Sequence, residues 1–312
     1  MLVLSKHDVE RVLSVPAMLE ALEAGFRAYS TGQASVPPRT AARSPEGLLG
    51  AMPGWVADRG FALKAVSVFP ANGEHGLPTH QGVITLFDEH SGALLSVMDA
   101  EHITAMRTGG GAAVSVRVLA RPDAKTLTIL GAGVQGHSHM ATVPLTRDFA
   151  TIRICSRNRD RAAALASTDP RCVVIPSFEE AVRGADVVCS CTDAREPITR
   201  FDWFDPGTHV TSVGGTFGPE LDADTIRLGR VFVEWKGAAT NAPPAGAHEL
   251  QGLDPVSLTE LGEVIAELQP GRQTVDEITV YKSTGSGFED AVVAQIVYQA
   301  AVAAGVGTDV EL

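Results

Sequence analysis

The clearest chemical signal in the 312-residue sequence is the turn Gly131-Ala132-Gly133-Val134-Gln135-Gly136. It follows an apolar run, Thr126–Leu130, and opens a stretch of helical character. A GxGxxG turn in that setting suits a dinucleotide. Gly131 permits the tight turn, Gly133 lets backbone approach a pyrophosphate, and Gly136 lets the helix pack closely on the strand. The anion would sit at the helix N-terminus, where free N–H groups point outward. Val134 and Gln135 lie on the turn itself. The competing reading is a glycine-rich turn with no ligand.

The kind of nucleotide is read about 20 residues further on, where NAD-selective sites place an acid for the ribose 2′-hydroxyl. Here the stretch is Cys155-Ser156-Arg157-Asn158-Arg159, with no carboxylate before Asp160. A hydroxyl from Ser156 and a cation from Arg157 suit a 2′-phosphate. NADP(H) is therefore favoured, with NAD(H) as the alternative. On the competing reading, Arg157 and Arg159 are solvated residues at a helix start.

Lys64 lies in a strand-like run over residues 61–69, on the face of Ala62, Val66 and Val68. A lysine there either sits at an edge with its amine reaching water, or has a function. Buried, it would have a lowered pKa suited to proton transfer. Arg107 precedes Thr108-Gly109-Gly110-Gly111. Three glycines inside a helix are costly, so a close backbone approach or a helix start is expected there. Thr108 would then cap a helix facing phosphate. Arg39 follows Pro37-Pro38 on a stiff loop. Either arginine can clamp a carboxylate through two hydrogen bonds, or lie at the surface as a solvated charge.

The elements that must position these residues fall into two patterns. A short helix follows Ser5-Lys6-His7-Asp8. A second starts at Val15-Pro16 and runs to about Ser30, with Met18, Leu19, Leu22 and Phe26 at helical spacing. Strand-like runs cover 61–69, 82–87 and 93–97, and a helix covers about 100–120. From residue 126 the patterns alternate. Thr126–Leu130, Thr151–Cys155, 172–175, 187–191, 209–213 and 231–235 read as strands, with helices at Arg159–Ala166 and 178–183. Such alternation implies βαβ units and a parallel sheet. Gly287–Ala304 reads as an apolar helix that starts with Glu289-Asp290.

The length suggests about two domains. With 45% hydrophobic and 20% charged residues, the composition excludes disorder as the main state. The formal net charge is −12 and no run of Lys or Arg stands against it, so no nucleic-acid partner is expected. No apolar stretch reaches the roughly 18 residues of a membrane span. The first residues, MLVLSKHDVERVL, carry charges at once and do not read as a secretory signal. Cys155, Cys172, Cys189 and Cys191 form no CxxC pair and read as small buried hydrophobes in a reducing cytosol. No metal site is expected.

Taken together, these stretches resemble the ornithine cyclodeaminase and mu-crystallin family. The resemblance rests on Val36-Pro37-Pro38-Arg39, Leu63-Lys64, Gly76-Leu77-Pro78-Thr79-His80 and Asp99 through Arg107-Thr108. It continues with Gly131–Gly136, Cys191-Thr192, Val213-Gly214-Gly215, and Tyr281-Lys282-Ser283-Thr284-Gly285 before Glu289-Asp290. It covers essentially the whole chain. It implies an α/β fold, with a Rossmann-type doubly wound domain (121–285) and a second α+β domain for substrate and dimerisation. That second domain is built from both chain ends (1–120 with 286–312). It also implies a homodimer acting on a small imino or amino acid. Arg39, Lys64, Thr79 and Arg107 would then bind substrate, with Lys64 and Arg107 next to the chemistry. Thr108, Thr192, Val213, Gly214 and Ser283 would contact the cofactor, beside the glycine turn, Ser156 and Arg157.

One departure from the family pattern bears on the reaction. Cyclodeaminases carry a catalytic Asp directly after Val-Gly-Gly, and here that catalytic position is Thr216. Threonine is no base near neutral pH. A lysine usual shortly afterwards is here Glu220. Both features, with Ser156-Arg157, resemble NADPH-dependent ketimine or pyrroline-carboxylate reductases, and a cytoplasmic location is expected for this chain. The alternatives are an ornithine cyclodeaminase, an alanine-type dehydrogenase, and a non-catalytic, crystallin-like NADPH-binding protein.

Overall fold

The structure, a computed structural model, describes residues 1–215 and 217–311; Thr216 lies outside the described residues. Two compact units make up the chain, Met1–Arg107 with Ser286–Leu312, and Thr108–Gly285. The division falls inside a helix, ahead of the boundary expected at residue 120.

In chain order the first unit contains β1 (Leu2–Leu4), α1 (Lys6–Val12), α2 (Val15–Ser30), β2 (Ala34–Ser35), β3 (Thr40–Arg43), β4 (Leu48–Val56), β5 (Gly60–Val68), β6 (His80–Phe87) and β7 (Leu94–Asp99). Helix α3 (Ala100–Leu119) spans the division. The second unit contains β8 (Thr126–Leu130), α4 (Val134–Thr142), β9 (Thr151–Cys155), α5 (Arg159–Ala166), β10 (Cys172–Val174), α6 (Phe178–Val182), β11 (Val187–Ser190), β12 (His209–Ser212), α7 (Ala223–Leu228), β13 (Arg230–Val233), α8 (Gly237–Thr240), β14 (Thr259–Glu260), α9 (Leu261–Ile265) and β15 (Thr279–Lys282). The chain returns to the first unit in α10 (Gly287–Ala304) and β16 (Thr308–Asp309).

The first unit is a sheet of order β16-β1-β7-β6-β5-β4-β2, with β3 also paired to β4. Strands β4 to β7 form an antiparallel meander. Period-2 alternation turns Ala62, Lys64 and Ile84 inward, under α10. The opposite face leaves Leu49, Phe61 and Val83 exposed. Strand β4 holds Gly50, Pro53 and Gly54, which hide it from a sequence pattern. Packing explains Gly54: a Cβ there would come within 2.5 Å of the Gly287 carbonyl oxygen, and one on Gly287 within 2.5 Å of that of Pro53. The start of α10 thus rests directly on β4. Ser286 and Glu289 close a capping box that fixes where α10 begins.

The second unit is a sheet of order β10-β9-β8-β11-β12-β15-β13-β14, parallel at every pairing. Strands β11, β12 and β15 are buried at every residue, as befits a parallel sheet covered on both faces. This is a doubly wound, Rossmann-type sheet. From β8 the strand order runs one way to β9 and β10 and the other way to β11. The switch point, where such sheets bind ligands, therefore lies between β8 and β11.

Helix α3 runs unbroken through Gly109-Gly110-Gly111, so Thr108 is the ninth residue of a helix and caps nothing. The helix-start reading of the three glycines is wrong, and the close-approach reading holds at Gly109. A Cβ on Gly109 would lie 2.7 Å from the Ser138 carbonyl carbon, so the bare glycine lets α3 pack on α4. Among the described residues, no helix is long and apolar enough to cross a membrane.

Candidate active site

Lys64 sits in the interior strand β5 and is 3% exposed, so its amine does not reach water. Its Nζ lies 2.8 Å from Asp290 Oδ2 and donates to Oδ1 at 3.1 Å. Arg107 donates from Nε to Asp290 Oδ1 at 3.2 Å and from Nη1 to Glu289 Oε2 at 3.3 Å. Glu289 Oε2 also accepts the Ser286 backbone N–H at 2.8 Å. Four charged side chains are thus buried together: two cations from the sheet and α3, and two acids from the first turn of α10.

Burial pushes the Lys64 pKa down to about 8. Asp290 opposes that fall, and the charges of Arg107 and Arg39 add to it. Arg39 is therefore close enough for its field to act on Lys64. Thr79 is exposed, with its hydroxyl 3.1 Å from His80 Nδ1. Of the predicted substrate set, Lys64 and Arg107 thus converge on Asp290, Arg39 acts on Lys64 through its charge, and Thr79 stands on the surface.

Asp290, which joins Lys64 to Arg107, was noted in the sequence only as part of an acidic helix start and of the family pattern, with no role given to it. A signal was available. An acid inside an apolar run such as Gly287–Ala304 has to find a cation or a donor when buried, and a buried lysine needs an acid.

In the second unit the glycine turn has the shape a dinucleotide requires. Gly131 has φ +115°, and a Cβ on it would meet the Cys191 carbonyl oxygen at 2.6 Å. A Cβ on Gly136 would meet the Gly131 carbonyl oxygen at 2.2 Å. A Cβ on Gly133 would meet nothing within 4 Å, and this residue caps α4 with no side-chain hydrogen bond. The first N–H groups of α4 are thus left to an outside acceptor beside an open backbone. Val134 is exposed and Gln135 half-buried on the same turn. These residues fit a pyrophosphate.

Ser156 and Arg157 follow β9, as expected. Arg157 is already paired: its Nη2 lies 2.6 Å from Asp193 Oδ1, with both side chains mostly exposed. Thr192 and Ser283 are held by buried acids. The Thr192 hydroxyl donates to Glu220 Oε1 at 2.6 Å, and the Ser283 hydroxyl donates to Glu234 Oε2 at 2.9 Å. Glu220 itself is fully buried, with its carboxylate bonded to Thr192, Ser212 and Gly214. Its carboxylate thus joins the segments that follow β11 and β12 and is closed to solvent. Val213 and Gly214 follow β12 at the same rim. The cysteines are all free, and burial raises the Cys155 thiol to about 11 and that of Cys189 to about 12.

A doubly wound parallel sheet with this glycine turn at its switch point, joined to a second α+β unit, defines a two-domain α/β protein of Rossmann type. The chain belongs to the ornithine cyclodeaminase/mu-crystallin family, which matches residues 1–305. It is 37% identical over 288 residues to the ketimine reductase mu-crystallin of Mus musculus, covering 90% of each chain. It superposes on the Δ1-pyrroline-2-carboxylate reductase of Thermococcus litoralis in complex with NADH and L-proline. That match has TM-score 0.92 and 34% identity, and covers 99% of this chain and 100% of the other. An archaeal alanine dehydrogenase dimer with bound NAD matches with TM-score 0.90 and 29% identity, over 100% of this chain and 99% of the other.

Proposed function

We propose that this chain reduces the C=N bond of a small cyclic α-imino acid, of the 1-pyrroline-2-carboxylate or related ketimine type. It is an NAD(P)-dependent oxidoreductase acting on C–N bonds. The observation that carries the substrate reading is the buried cluster in which Lys64, with its pKa near 8, is held by Asp290 beside Arg107. When bound, the reduced nicotinamide supplies a hydride to the imine carbon.

The chain's own groups handle the rest. Lys64 is largely protonated near neutral pH, and its Nζ delivers a proton to the substrate nitrogen. Hydride and proton together saturate the C=N bond. Asp290 keeps the ammonium in place before transfer. Lys64, Arg107, Glu289 and Asp290 are balanced in charge among themselves, so an incoming carboxylate calls for a further cation. Arg39 supplies it, with Arg107 as the second arm of the clamp. Burial of the cluster keeps water from the transferring proton.

The nucleotide reading places the pyrophosphate on Gly131, Gly133, Val134, Gln135 and Gly136, with Thr108, Thr192, Val213, Gly214 and Ser283 lining the rest of the cofactor's path. Ser156 and Arg157 support NADP(H) over NAD(H). The first unit serves as the substrate and dimerisation domain of a cytoplasmic homodimer. Its exposed Leu49, Phe61 and Val83, with a groove lined by Pro53, Trp55 and Leu63, form the kind of apolar patch that marks association. The likeness to alanine dehydrogenase supports a second reading, in which the same groups serve removal of hydride from an amino acid.

The test is oxidation of NADPH and NADH with a panel of cyclic ketimines. Turnover is expected with at least one five- or six-membered ring. Silence across the panel from folded, nucleotide-loaded protein overturns the reading. Reduction of nucleotide by alanine alone would favour the dehydrogenase.

A further inference from the structure

Strands β11, β12 and β15 lie side by side, and at their carboxyl ends three buried charges tie them together. Glu220, on the segment after β12, accepts four hydrogen bonds. Oε1 takes the Thr192 N–H and hydroxyl, each at 2.6 Å. Oε2 takes the Ser212 hydroxyl at 2.8 Å and the Gly214 N–H at 2.7 Å. Lys282, the last residue of β15, donates to Ser212 Oγ at 2.8 Å and to the Gly214 carbonyl at 2.9 Å, and lies 3.3 Å from Glu249 Oε1. Glu249 Oε1 also accepts the Glu220 N–H at 2.7 Å. Glu220 and Lys282 are 0% exposed.

The geometry is specific to a short connection. A Cβ on Gly214 would stand 2.3 Å from the Glu220 carboxyl carbon, so the turn lies directly on the carboxylate. One carboxylate therefore sets the separation of two segments, the one starting at Thr192 and the one at Val213–Gly214. Thr192 is also next to the switch point, because Gly131 packs against the Cys191 carbonyl.

We propose that Glu220, braced by Lys282, is the positioning residue of the nucleotide site: without touching the nucleotide, it fixes in advance the spacing of the two strand ends that receive it. The inference rests on the nucleotide reading above. Because the clamp's hydrogen bonds go to the strand ends and to neither Ser156 nor Arg157, its loss should weaken NADH and NADPH alike.

The variants are Glu220→Gln, Glu220→Asp and Lys282→Met in the full chain, titrated with NADH and NADPH by fluorescence and melted in parallel. A glutamine offers one oxygen and an N–H₂ to a set of four donors, which it cannot satisfy. Glu220→Gln should raise both dissociation constants at least tenfold and by a common factor, with the loss appearing in KM for nucleotide more than in kcat. Glu220→Asp keeps the charge and should recover part of the affinity. Lys282→Met should weaken both nucleotides several-fold. A lowered melting temperature with unchanged dissociation constants overturns the proposal, leaving Glu220 as mere scaffold. Should Glu220→Gln and Lys282→Met fail to fold, wild-type hydrogen exchange decides. The Thr192 and Gly214 amides should exchange slowly before any nucleotide is added, and exchange at open-loop rates overturns the clamp. Wild-type protein that binds neither nucleotide sinks the functional reading itself, a result distinct from either.

Discussion

Lys64 Nζ lies 2.8 Å from Asp290 Oδ2, and the two residues stand 226 apart in the chain. Burial drives the lysine pKa down to about 8, and the carboxylate stops it falling further. A reductase that uses this proton loses its donor as pH rises. The rate of imine reduction, as kcat/KM, should therefore decline above about pH 8. A profile that stays flat from pH 7 to 9.5, roughly one and a half units past the break, would exclude Lys64 as the donor.

Lys64→Met keeps the volume and removes the proton. Turnover should fall by on the order of 10²-fold or more, since one positioned proton donor is worth about that much. Nucleotide affinity should hardly change, because the glycine turn belongs to the other unit. Activity within a few-fold of wild type would make Lys64 a structural cation.

Asp290→Asn leaves Lys64 and Arg107 buried with one acid between them. Removing one partner of a buried pair costs about 3–5 kcal/mol, which the urea midpoint should register. The remaining influences on Lys64, burial and the Arg107 and Arg39 charges, all lower its pKa. The break in the pH profile should therefore move below 8 in this variant. An unmoved break would show that the carboxylate does not govern the lysine.

Arg157 meets Asp193 at 2.6 Å, so a 2′-phosphate must take the guanidinium from a carboxylate. Exposed pairs of this kind are worth about 0–1 kcal/mol. Asp193→Asn should thus tighten NADPH by up to about fivefold, as 1.4 kcal/mol is one decade, with NADH nearly unchanged. Ser156→Asp with Arg157→Ile should cut the preference for NADPH at least about tenfold. Paired dissociation constants check both. Wild type that binds the two nucleotides equally would remove Ser156 and Arg157 from the argument.

His139 is fully buried and its pKa is pushed down to about 4 by burial, with Nδ1 against the Gln135 carbonyl. The unfolded chain protonates this ring from about pH 6.5 downward while the folded chain resists until about 4. Stability is thus lost as pH falls across that window, by up to about 3 kcal/mol from His139 alone. Buried His209, also held well below its usual value by burial, adds to the loss. Urea midpoints at pH 7 and pH 5 should differ accordingly, and equal midpoints would contradict it.

Much of the second unit was legible because its signals are local. Thr126–Leu130, Thr151–Cys155 and Arg159–Ala166 are apolar or helical runs with turn residues at their ends, and the structure places them at those bounds. Strand β15 escaped notice because its last residue is a lysine, buried through partners 33 and 70 residues earlier, Glu249 and Ser212. Strand β4 escaped because Gly54 answers to the approach of α10, which no window of sequence contains. Lys64 was ambiguous for the same reason. Its meaning depends on Asp290, and only the fold brings them together. Thr108 misled because helix propensity penalises glycine, whereas packing against Ser138 favours it.

The division of one unit between the two ends of the chain has a consequence for biosynthesis. At about 5–20 residues per second, the 226 residues from Lys64 to Asp290 take on the order of ten to forty-five seconds to translate. During that time β4, β5 and β6 have emerged without the helix that covers them, and Lys64 has no counter-ion. The intervening unit has its own sheet and core and can be complete first. A ribosome that stalls before α10 therefore releases a chain with one finished half and one bare sheet, a ready substrate for chaperones and proteases.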